Sequence, residues 1–366
     1  MRVNRIALNG FRNYDFETAE LSPGTNVIYG ENAQGKTNLL EAVYILAAGR
    51  SFRTRFDREL IGFGCDRAEI LADIVSHERE QTVRIVMRNG VRKQITVNSV
   101  KKTATELAGT LTAVLFSPDD LNLIKDGAAA RRRLMDNAIS QIRPRYAEYL
   151  SQFNKLYESK TRILKDWREK PSLLDTLDDF SDGMCRYSAQ LIRYRAAFIE
   201  RLREEAAPIH GEFSGAGEKL GIQYSTVSSV RNPLGSAQDI FYDLCEHQER
   251  HRTAEIESQQ CLTGAHKDDL VITINGQNAR SFASQGQTRT AALSIKLAER
   301  EIYLDETGEY PILLLDDVLS ELDMRRQEFV LNRIGGGQTL ITCCEDEGIS
   351  KRTGGKVMHV EKGRIR

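Results

Sequence analysis

The feature that most constrains this chain is a glycine-rich segment near its N-terminus, Gly30-Glu31-Asn32-Ala33-Gln34-Gly35-Lys36-Thr37. An apolar stretch at residues 27–29 precedes it, and apolar residues recur at helical spacing from Leu39 to Ala47. A loop between strand and helix can wrap closely around phosphate, because glycine lets backbone N–H groups point at the oxygens and the helix dipole adds to them. The pattern therefore predicts a P-loop, in which Lys36 meets the β- and γ-phosphates and Thr37 binds Mg²⁺. The alternative is a glycine turn with an incidental lysine.

A second feature is an apolar run that ends in two carboxylates, Ile312-Leu313-Leu314-Leu315-Asp316-Asp317. Four consecutive apolar residues are typical of a buried parallel strand, whose carboxyl end faces the ligand. We therefore expect Asp316 to hold Mg²⁺, directly or through water, and Asp317 to orient the water that attacks the phosphate. Paired acids at a strand end can also be surface residues, but the P-loop elsewhere in the chain favours the metal site.

A third feature is the SQGQ segment, Ser284-Gln285-Gly286-Gln287, which stands just before a helical run at residues 288–303. The start of that helix would offer free N–H groups to an anion, as the P-loop does. One nucleotide rarely needs two such sites from one subunit, so we expect this segment to cap the γ-phosphate held by a second copy. By itself, such a stretch is usually an ordinary loop.

The period of the hydrophobic residues changes twice along the 366-residue chain, which is too long for one ordinary core. Residues 1–120 are predicted to form mostly short strands, residues 121–254 helices, and residues 255–366 strands again. We therefore predict an α/β fold: a split P-loop ATPase head, made from the two ends of the chain, with an inserted helical domain between them.

Two local patterns place individual elements within these regions. Apolar stripes at helical spacing over residues 146–156 and 177–198 predict an antiparallel helical hairpin, which is either a projecting arm or a compact domain. Asn-Gly pairs at residues 89–90 and 275–276, next to alternating apolar residues, predict β-hairpin turns, because both positions of the pair tolerate positive φ.

Composition and charge exclude several classes of protein. No stretch approaches the roughly 20 uninterrupted apolar residues of a membrane span, and the N-terminus lacks a signal region, so we expect a cytoplasmic protein. The formal net charge of −1 gives no support to nucleic-acid binding by bulk charge. Any DNA contact would need local patches, and an ordinary solvated surface remains the alternative for each of the candidates Arg50, Arg53, Arg131, Arg132 and Arg133.

The order of these motifs resembles the ABC-type heads of SMC-like DNA repair ATPases, and within them the RecF family of bacterial recombination mediators. The resemblance covers essentially the whole chain. It includes the SQGQ segment as an LSGGQ-like signature, and the Asp-Asp strand with the loop that ends at Asp323. Its further carriers are Gly30-Glu31-Asn32-Ala33-Gln34-Gly35-Lys36-Thr37-Asn38, Leu115-Phe116-Ser117-Pro118-Asp119-Asp120-Leu121, Arg131-Arg132-Arg133 and Gly264-Ala265-His266-Lys267-Asp268-Asp269-Leu270.

The resemblance implies an ATP-dependent homodimer that binds duplex DNA beside single-stranded gaps. It also implies work with RecR, and with RecO and RecA downstream, in recombinational and replication-gap repair. By motif, the loop from Gly30 to Asn38 would bind ATP, and Thr37 and Asp316 would bind Mg²⁺. Catalysis would fall to Lys36, Asp316 and Asp317. The residues that would contact the nucleotide in trans are Ser284, Gln285, Gly286, Gln287 and Asp323.

Two departures from the ABC pattern affect the expected chemistry. These heads commonly carry Glu where Asp317 stands, one methylene longer, so we expect slow hydrolysis that suits a switch. Separately, we expect the chain to be a weak ATPase that DNA stimulates. They also commonly carry a switch His after the next strand. Here Leu340-Ile341-Thr342-Cys343 has no His, and Thr342 or Cys343 would take that place.

Two other classes of function remain as alternatives. A transporter's nucleotide-binding subunit usually has its signature much closer to the P-loop, whereas a long region with a helical pattern separates the two here. Another SMC-like repair ATPase, including one linked to a nuclease, would share the same motifs. No further acidic metal cluster stands out in the sequence to favour a nuclease.

Overall fold

The computed structural model of the chain describes residues 1–215, 217–345 and 348–366. These residues form two compact units. The first unit comprises Met1–Asn122 and Arg289–Arg366, and the second comprises Leu123–Thr288. The predicted α/β fold class, with a head built from both ends of the chain, is therefore confirmed.

The described residues form fifteen strands and ten α-helices. The strands are β1 (Arg2–Phe11), β2 (Tyr14–Glu20), β3 (Thr25–Tyr29), β4 (Arg67–Ser76), β5 (Arg79–Arg88), β6 (Val91–Val97), β7 (Val100–Lys102), β8 (Ala113–Phe116), β9 (Leu220–Ser225), β10 (Asp269–Ile274), β11 (Gln277–Asn278), β12 (Ile312–Leu315), β13 (Thr339–Cys343), β14 (Lys356–Glu361) and β15 (Arg364–Ile365). The α-helices are α1 (Lys36–Ala48), α2 (Ala104–Leu107), α3 (Ala128–Ile142), α4 (Pro144–Asp166), α5 (Leu177–Ser214), α6 (Ala237–Ser258), α7 (Ala279–Phe282), α8 (Gln285–Thr307), α9 (Met324–Arg333) and α10 (Ile349–Thr353).

The first unit contains two six-stranded sheets. One is antiparallel with the order β2-β1-β4-β5-β6-β7, and the predicted turn at residues 89–90 joins β5 to β6. The other has the order β15-β14-β3-β13-β12-β8, in which the strands from β14 to β8 are parallel. Because β3, β13 and β12 are parallel neighbours, their carboxyl ends meet at one edge of the sheet. The P-loop and the two predicted acids follow β3 and β12 at that edge.

Helix α1 lies in the hydrophobic core of the first unit. Leu39, Leu40 and Val43 are fully buried there, in a cluster that also holds residues of both sheets, such as Ile6 and Leu314. A helix that is apolar on nearly all sides is stable only when its surroundings cover it completely. The core thereby fixes the helix whose first residue is Lys36, and with it the end of the P-loop.

The second unit is built on helices α4, α5 and α6, and α4 packs along α5 as the predicted helical hairpin. Buried ion pairs tie the helices together. Lys160 on α4 lies 2.7 Å from Glu255 on α6, and both side chains are fully buried. Arg195 on α5 lies 2.6 Å from Asp268 and 2.8 Å from Asp136. These pairs fix the relative positions of the helices, because an unpaired buried charge is strongly unfavourable.

The second unit extends further along the chain than residues 121–254, which the sequence predicted for the insertion. It continues to Thr288, because β10 pairs with β9 and β11 pairs with β10 in a three-stranded sheet of its own. The predicted turn at residues 275–276 belongs to this sheet. Alternation of apolar residues identifies a strand but does not show which sheet it joins, so the prediction gave these strands to the head.

No helix in the described part of the chain is both long enough and apolar enough to cross a membrane.

Candidate nucleotide-binding site

The P-loop connects β3 to α1, as predicted, and two of its glycines are required by their surroundings. Gly30 has a φ of 153°, and a Cβ there would lie 2.2 Å from the backbone oxygen of Val360. Gly35 has a φ of 124°, and a Cβ there would lie 2.9 Å from the side chain of Asn13. Both conformations are unfavourable for residues with a side chain. The loop therefore depends on glycine both for its backbone path and for its close packing.

Lys36 is held inside the loop. Its Nζ donates hydrogen bonds to the carbonyl oxygens of Gly30, at 2.6 Å, and Glu31, at 3.2 Å. The side chain is 3% exposed, so the ammonium lies within the loop rather than in solvent. This is where a P-loop lysine is expected to meet the β- and γ-phosphates.

Thr37, Asp316 and Thr342 share a hydrogen-bond network at the carboxyl ends of the parallel strands. The hydroxyls of Thr37 and Thr342 donate to Oδ1 of Asp316, at 2.9 Å and 3.0 Å. Burial raises the pKa of Asp316, because it disfavours the charged form, while the hydrogen bonds from Thr37 and Thr342 oppose this rise. A divalent cation would stabilise the same carboxylate, and hydroxyl and carboxylate oxygens are ligands that Mg²⁺ accepts. The predicted pair of metal ligands is therefore brought together.

Asp317 has an unusual backbone and an unsatisfied oxygen. Its φ is 50°, a left-handed conformation that non-glycine residues seldom adopt, although Asp is among those that do so more often. Its N–H donates to the hydroxyl of Thr342 at 2.8 Å. Its Oδ1 is buried and has no hydrogen-bond partner within residues 1–215, 217–345 and 348–366. A buried acceptor left open at this edge fits the predicted role of orienting an attacking water.

Thr342 is the residue that links the two acids, and it stands at one of the two positions considered for the switch His. Cys343 is buried in the sheet, whereas Cys344 is exposed and its Sγ lies 3.2 Å from Oδ1 of Asn32. The sequence offered Thr342 as a replacement for the His, but its contact with both acids becomes visible only when β13 pairs with β12.

A magnesium ion at this site would depend on the nucleotide for further ligands. The described part of the chain contains no group of three or more His, Cys, Asp or Glu side chains that could hold a metal ion. Mg²⁺ is usually bound by one or two carboxylates together with substrate phosphates and water, so Thr37 and Asp316 suit a metal that arrives with ATP.

The SQGQ segment forms the start of α8 in the second unit. Ser284 Oγ accepts a hydrogen bond from the N–H of Gln287 at 3.2 Å, and Gln287 Oε1 accepts one from the N–H of Ser284 at 2.9 Å. This reciprocal pair is a capping box. The sequence predicted free N–H groups here, whereas the structure shows that the hydroxyl of Ser284 already engages the N–H of Gln287. Ser284 and Gln285 are exposed.

Asp323 caps α9 in the first unit. Its Oδ1 accepts a hydrogen bond from the N–H of Arg326 at 3.0 Å, and its side chain forms an ion pair with the same arginine. The backbone hydrogen bond from Arg326 is the largest cause that lowers the pKa of Asp323. The residue therefore has a structural role in this subunit, and its predicted contact with a second copy stays a prediction.

Arg131 does not offer a free charge to DNA. Its guanidinium is 4% exposed and pairs with both carboxylate oxygens of Asp269, at 2.7 Å and 2.9 Å. Its Nη1 also donates to the carbonyl of Asp126 at 2.6 Å. This pairing removes Arg131 from the DNA-binding candidates. In the same cluster, Arg132 donates to the carbonyl of Asp268 at 2.7 Å, and Arg133 is exposed.

Arg53 lies against the helix that follows the P-loop. Its Nη1 donates to Oδ1 of Asn38 at 2.8 Å and lies 3.6 Å from Glu41, a fully buried carboxylate. Arg12 binds the same carboxylate with two hydrogen bonds of 2.7 Å and 2.8 Å. The charge of Arg53 makes a small contribution that opposes the rise in the pKa of Asp316 caused by burial. Arg53 therefore lies at the edge of the nucleotide site, while Arg50, the other candidate in this stretch, is exposed.

A basic groove in the first unit was missed by the sequence analysis. Its volume is about 490 Å³, and its lining includes Arg92, Lys93, Lys101 and Lys102 from β6 and β7. Lys93 is paired with Asp57 at 2.8 Å, whereas Arg92, Lys101 and Lys102 are exposed. The four residues form two adjacent pairs, residues 92–93 and 101–102, and the pairing of β7 with β6 brings the two pairs together around the groove.

Comparison with known proteins shows the family to which the chain belongs. The family described as "RecF/RecN/SMC N terminal domain" matches residues 2–364. Proteins named "DNA replication and repair protein RecF" from Acetivibrio thermocellus and Agathobacter rectalis are 40% and 38% identical to the chain over 367 and 368 residues. Each alignment covers 100% of this chain and 99% of the relative.

Solved structures agree with these relatives. The recombination mediator protein RecF of the RecFOR pathway, solved as RecF-ATPrS, is 34% identical with a TM-score of 0.92, over 100% of this chain and 97% of that one. The RecF-ATP structure is also 34% identical, with a TM-score of 0.90 over 100% and 96% of the two chains. An Smc head domain from Pyrococcus furiosus, at 16% identity and a TM-score of 0.55 over 100% and 95%, shares the fold. The chain therefore belongs to the RecF family of DNA replication and repair proteins.

Proposed function

We propose that this protein is an ATP-dependent DNA-binding clamp of replication and recombinational repair, in which ATP and Mg²⁺ join two copies of the chain. The observation that carries this proposal is the position of Lys36, Thr37, Asp316 and Asp317 at the carboxyl ends of β3 and β12, the two strands on either side of β13. It is supported by the family, whose solved members include a RecF structure described with ATP.

The residues of the site would divide the chemistry of ATP hydrolysis among them. Backbone N–H groups of the P-loop and the ammonium of Lys36 would hold the phosphates. Mg²⁺, bound by Thr37 and Asp316, would neutralise charge that develops on the transferred phosphoryl group. Asp317 would orient the attacking water through its open Oδ1. Its side chain is one methylene shorter than Glu, which suits a slow ATPase that acts as a switch.

The second half of the nucleotide site would come from another copy. The SQGQ segment presents an exposed Ser284 whose oxygen already accepts a hydrogen bond from Gln287, so its hydroxyl hydrogen is available to a phosphate. Asp323 stands on a loop that would meet the same partner. ATP can favour the closed dimer only through a higher affinity for the dimer than for the monomer. Contacts made in trans supply that difference.

DNA binding would rest on local positive charge, since the formal net charge of the chain is −1. The basic groove, with Arg92, Lys101 and Lys102, is the surface best suited to a phosphate backbone, and Arg133 adds a charge on the second unit. The partners would be duplex and gapped DNA, RecR, and RecO and RecA downstream. Among these partners, RecO and RecR are supported by the RecFOR pathway to which the solved RecF structures belong.

Molar mass by light scattering tests the proposal directly. We expect a monomer without nucleotide, a dimer with ATP and Mg²⁺, and a more persistent dimer for Asp317→Asn, which binds ATP but hydrolyses it slowly. Lys36→Ala, which cannot hold the phosphates, is the matched control and should remain a monomer. A wild-type protein that hydrolyses ATP but stays a monomer at every ATP concentration would contradict the shared site.

A further inference from the structure

The SQGQ segment is held by an acidic residue that no motif includes. Gln287 Nε2 donates a hydrogen bond to Oε1 of Glu218 at 2.7 Å. The other carboxylate oxygen of Glu218 lies 3.3 Å from Nε2 of His210, which is fully buried near the end of α5. All of these residues belong to the second unit. Glu218 therefore connects the SQGQ segment to the longest helix of that unit.

The chemistry of a carboxylate decides how Gln287 is oriented. An ionised Glu only accepts hydrogen bonds, so the NH₂ group of Gln287 must face Glu218 and its carbonyl oxygen must face the other way. That carbonyl oxygen is the one that accepts from the N–H of Ser284 and closes the capping box. Without Glu218, only the N–H of Ser284 orients the amide, and the capping box loses its second orienting contact.

Glu218 is itself fixed from two sides. The neighbouring residue Lys219 donates its N–H to Oδ1 of Asn275 at 2.8 Å, and the N–H of Asn275 donates to the carbonyl of Lys219 at 2.9 Å. On the other side, burial lowers the pKa of His210, with Glu218 opposing the shift. The turn of the sheet thus holds the backbone next to Glu218, and the carboxylate lies against a buried imidazole. This placement allows the carboxylate to support Gln287.

We propose that Glu218 is a positioning residue of the nucleotide site, which holds the SQGQ segment so that the Ser284 hydroxyl is presented to the γ-phosphate of a second copy. The inference rests on the proposed ATP-dependent dimer for its effect on activity. The support that Glu218 gives to residues 284–287 is a property of one subunit and can be measured without dimerisation. Through His210, the same contact links the end of α5 to the nucleotide site.

Two variants of Glu218 separate positioning from simple loss of a side chain. Glu218→Ala removes the acceptor, whereas Glu218→Gln keeps an oxygen that can accept from Gln287. Glu204→Ala is the matched control, because Glu204 is an exposed carboxylate on α5. The readouts are hydrogen exchange of residues 284–290 without nucleotide, the affinity of the monomer for a fluorescent ATP analogue, and the ATP-dependent dimer dissociation constant.

We expect Glu218→Ala to speed amide exchange at residues 284–290 and to weaken the dimer at least tenfold, while the monomer's affinity for nucleotide changes less than twofold. Glu218→Gln and Glu204→Ala should stay within threefold of the wild type in every readout. Unchanged exchange in Glu218→Ala, or a loss in Glu218→Gln as large as in Glu218→Ala, overturns the inference. If the wild type does not dimerise with ATP, the proposed function fails, and the exchange data still decide whether Glu218 supports the segment.

Discussion

Replacing Thr342 by Val tests how the two acids of the nucleotide site are held. The Thr342 hydroxyl donates to Asp316 at 3.0 Å and accepts from the N–H of Asp317 at 2.8 Å. Val has nearly the same shape but can make neither contact. Thr342 is 1% exposed and Asp316 is 7% exposed, so water cannot easily replace the lost hydroxyl.

The size of the effect follows from the hydrogen bond to Asp316. A hydrogen bond to a charged group contributes about 1.5–3 kcal/mol, and the 3.0 Å length favours the lower value. About 1.4 kcal/mol corresponds to tenfold in affinity. We therefore expect Thr342→Val to lower the Mg²⁺-dependent part of ATP affinity roughly tenfold. Affinity measured in EDTA should change little, because the P-loop and Lys36 are intact.

The pH dependence should change with it. Burial raises the pKa of Asp316 and the Thr342 hydrogen bond opposes that rise, so removing the hydroxyl raises the pKa further. Protonated Asp316 cannot bind Mg²⁺. As the pH falls, Thr342→Val should lose Mg²⁺-dependent binding at a higher pH than the wild-type protein does.

A titration with a fluorescent ATP analogue, with and without Mg²⁺ and across pH, measures these effects. Thr342→Ser, which keeps the hydroxyl, is the control and should behave like the wild type. If Thr342→Val binds Mg²⁺ and ATP with wild-type affinity and pH dependence, the assignment of Asp316 as the metal ligand supported by Thr342 is refuted.

Two further predictions concern DNA binding and folding. Lys101→Glu combined with Lys102→Glu should weaken duplex binding and reduce the slope of log affinity against log salt by about 2, because each phosphate contact contributes about 0.9. Fluorescence anisotropy at several salt concentrations measures this effect. The control is Arg79→Glu combined with Lys351→Glu, which makes the same change of charge elsewhere in the first unit. Lys160→Met should destabilise the second unit by about 3–5 kcal/mol, because it leaves the carboxylate of Glu255 buried without its cation; chemical denaturation measures this.

Each of these predictions has a clear contrary result. If both double variants weaken DNA binding equally, net charge rather than the basic groove accounts for binding. If Lys160→Met unfolds at the same denaturant concentration as Lys155→Met, a change at an exposed lysine of the same helix, the buried pair does not stabilise the unit.

Much of the nucleotide site could be predicted from the sequence because its chemistry resides in contiguous residues. Gly30 and Gly35 indicate from the sequence that the P-loop needs backbone conformations that favour glycine. The apolar strand before Asp316 indicates that this carboxylate lies at the end of a buried strand. The structure adds how these parts are linked. Thr342 contacts both acids only because β13 lies beside β12 in the sheet.

Other residues could not be assigned from the sequence because their partners are distant along the chain. The sequence shows Arg131 as part of a basic cluster, but in the structure it forms an ion pair with Asp269, which is 138 residues away. No pattern in the sequence identified Glu218, because its contact with Gln287 joins residues that are 69 positions apart. The residues of the basic groove are close in the sequence, but their arrangement around the groove depends on the register of β6 and β7. Charge in a sequence is visible, but its neutralisation depends on the fold.

The central claim, a nucleotide shared between two copies, is tested most directly by mixing two inactive variants. Lys36→Ala has a defective P-loop and an intact SQGQ segment, and Ser284→Ala has the reverse. A mixed dimer would contain one complete site, made from the P-loop of the Ser284→Ala chain and the Ser284 of the Lys36→Ala chain. We predict that the mixture hydrolyses ATP while neither variant does so alone. A mixture as inactive as its components, under conditions where mixed dimers form, would contradict the account.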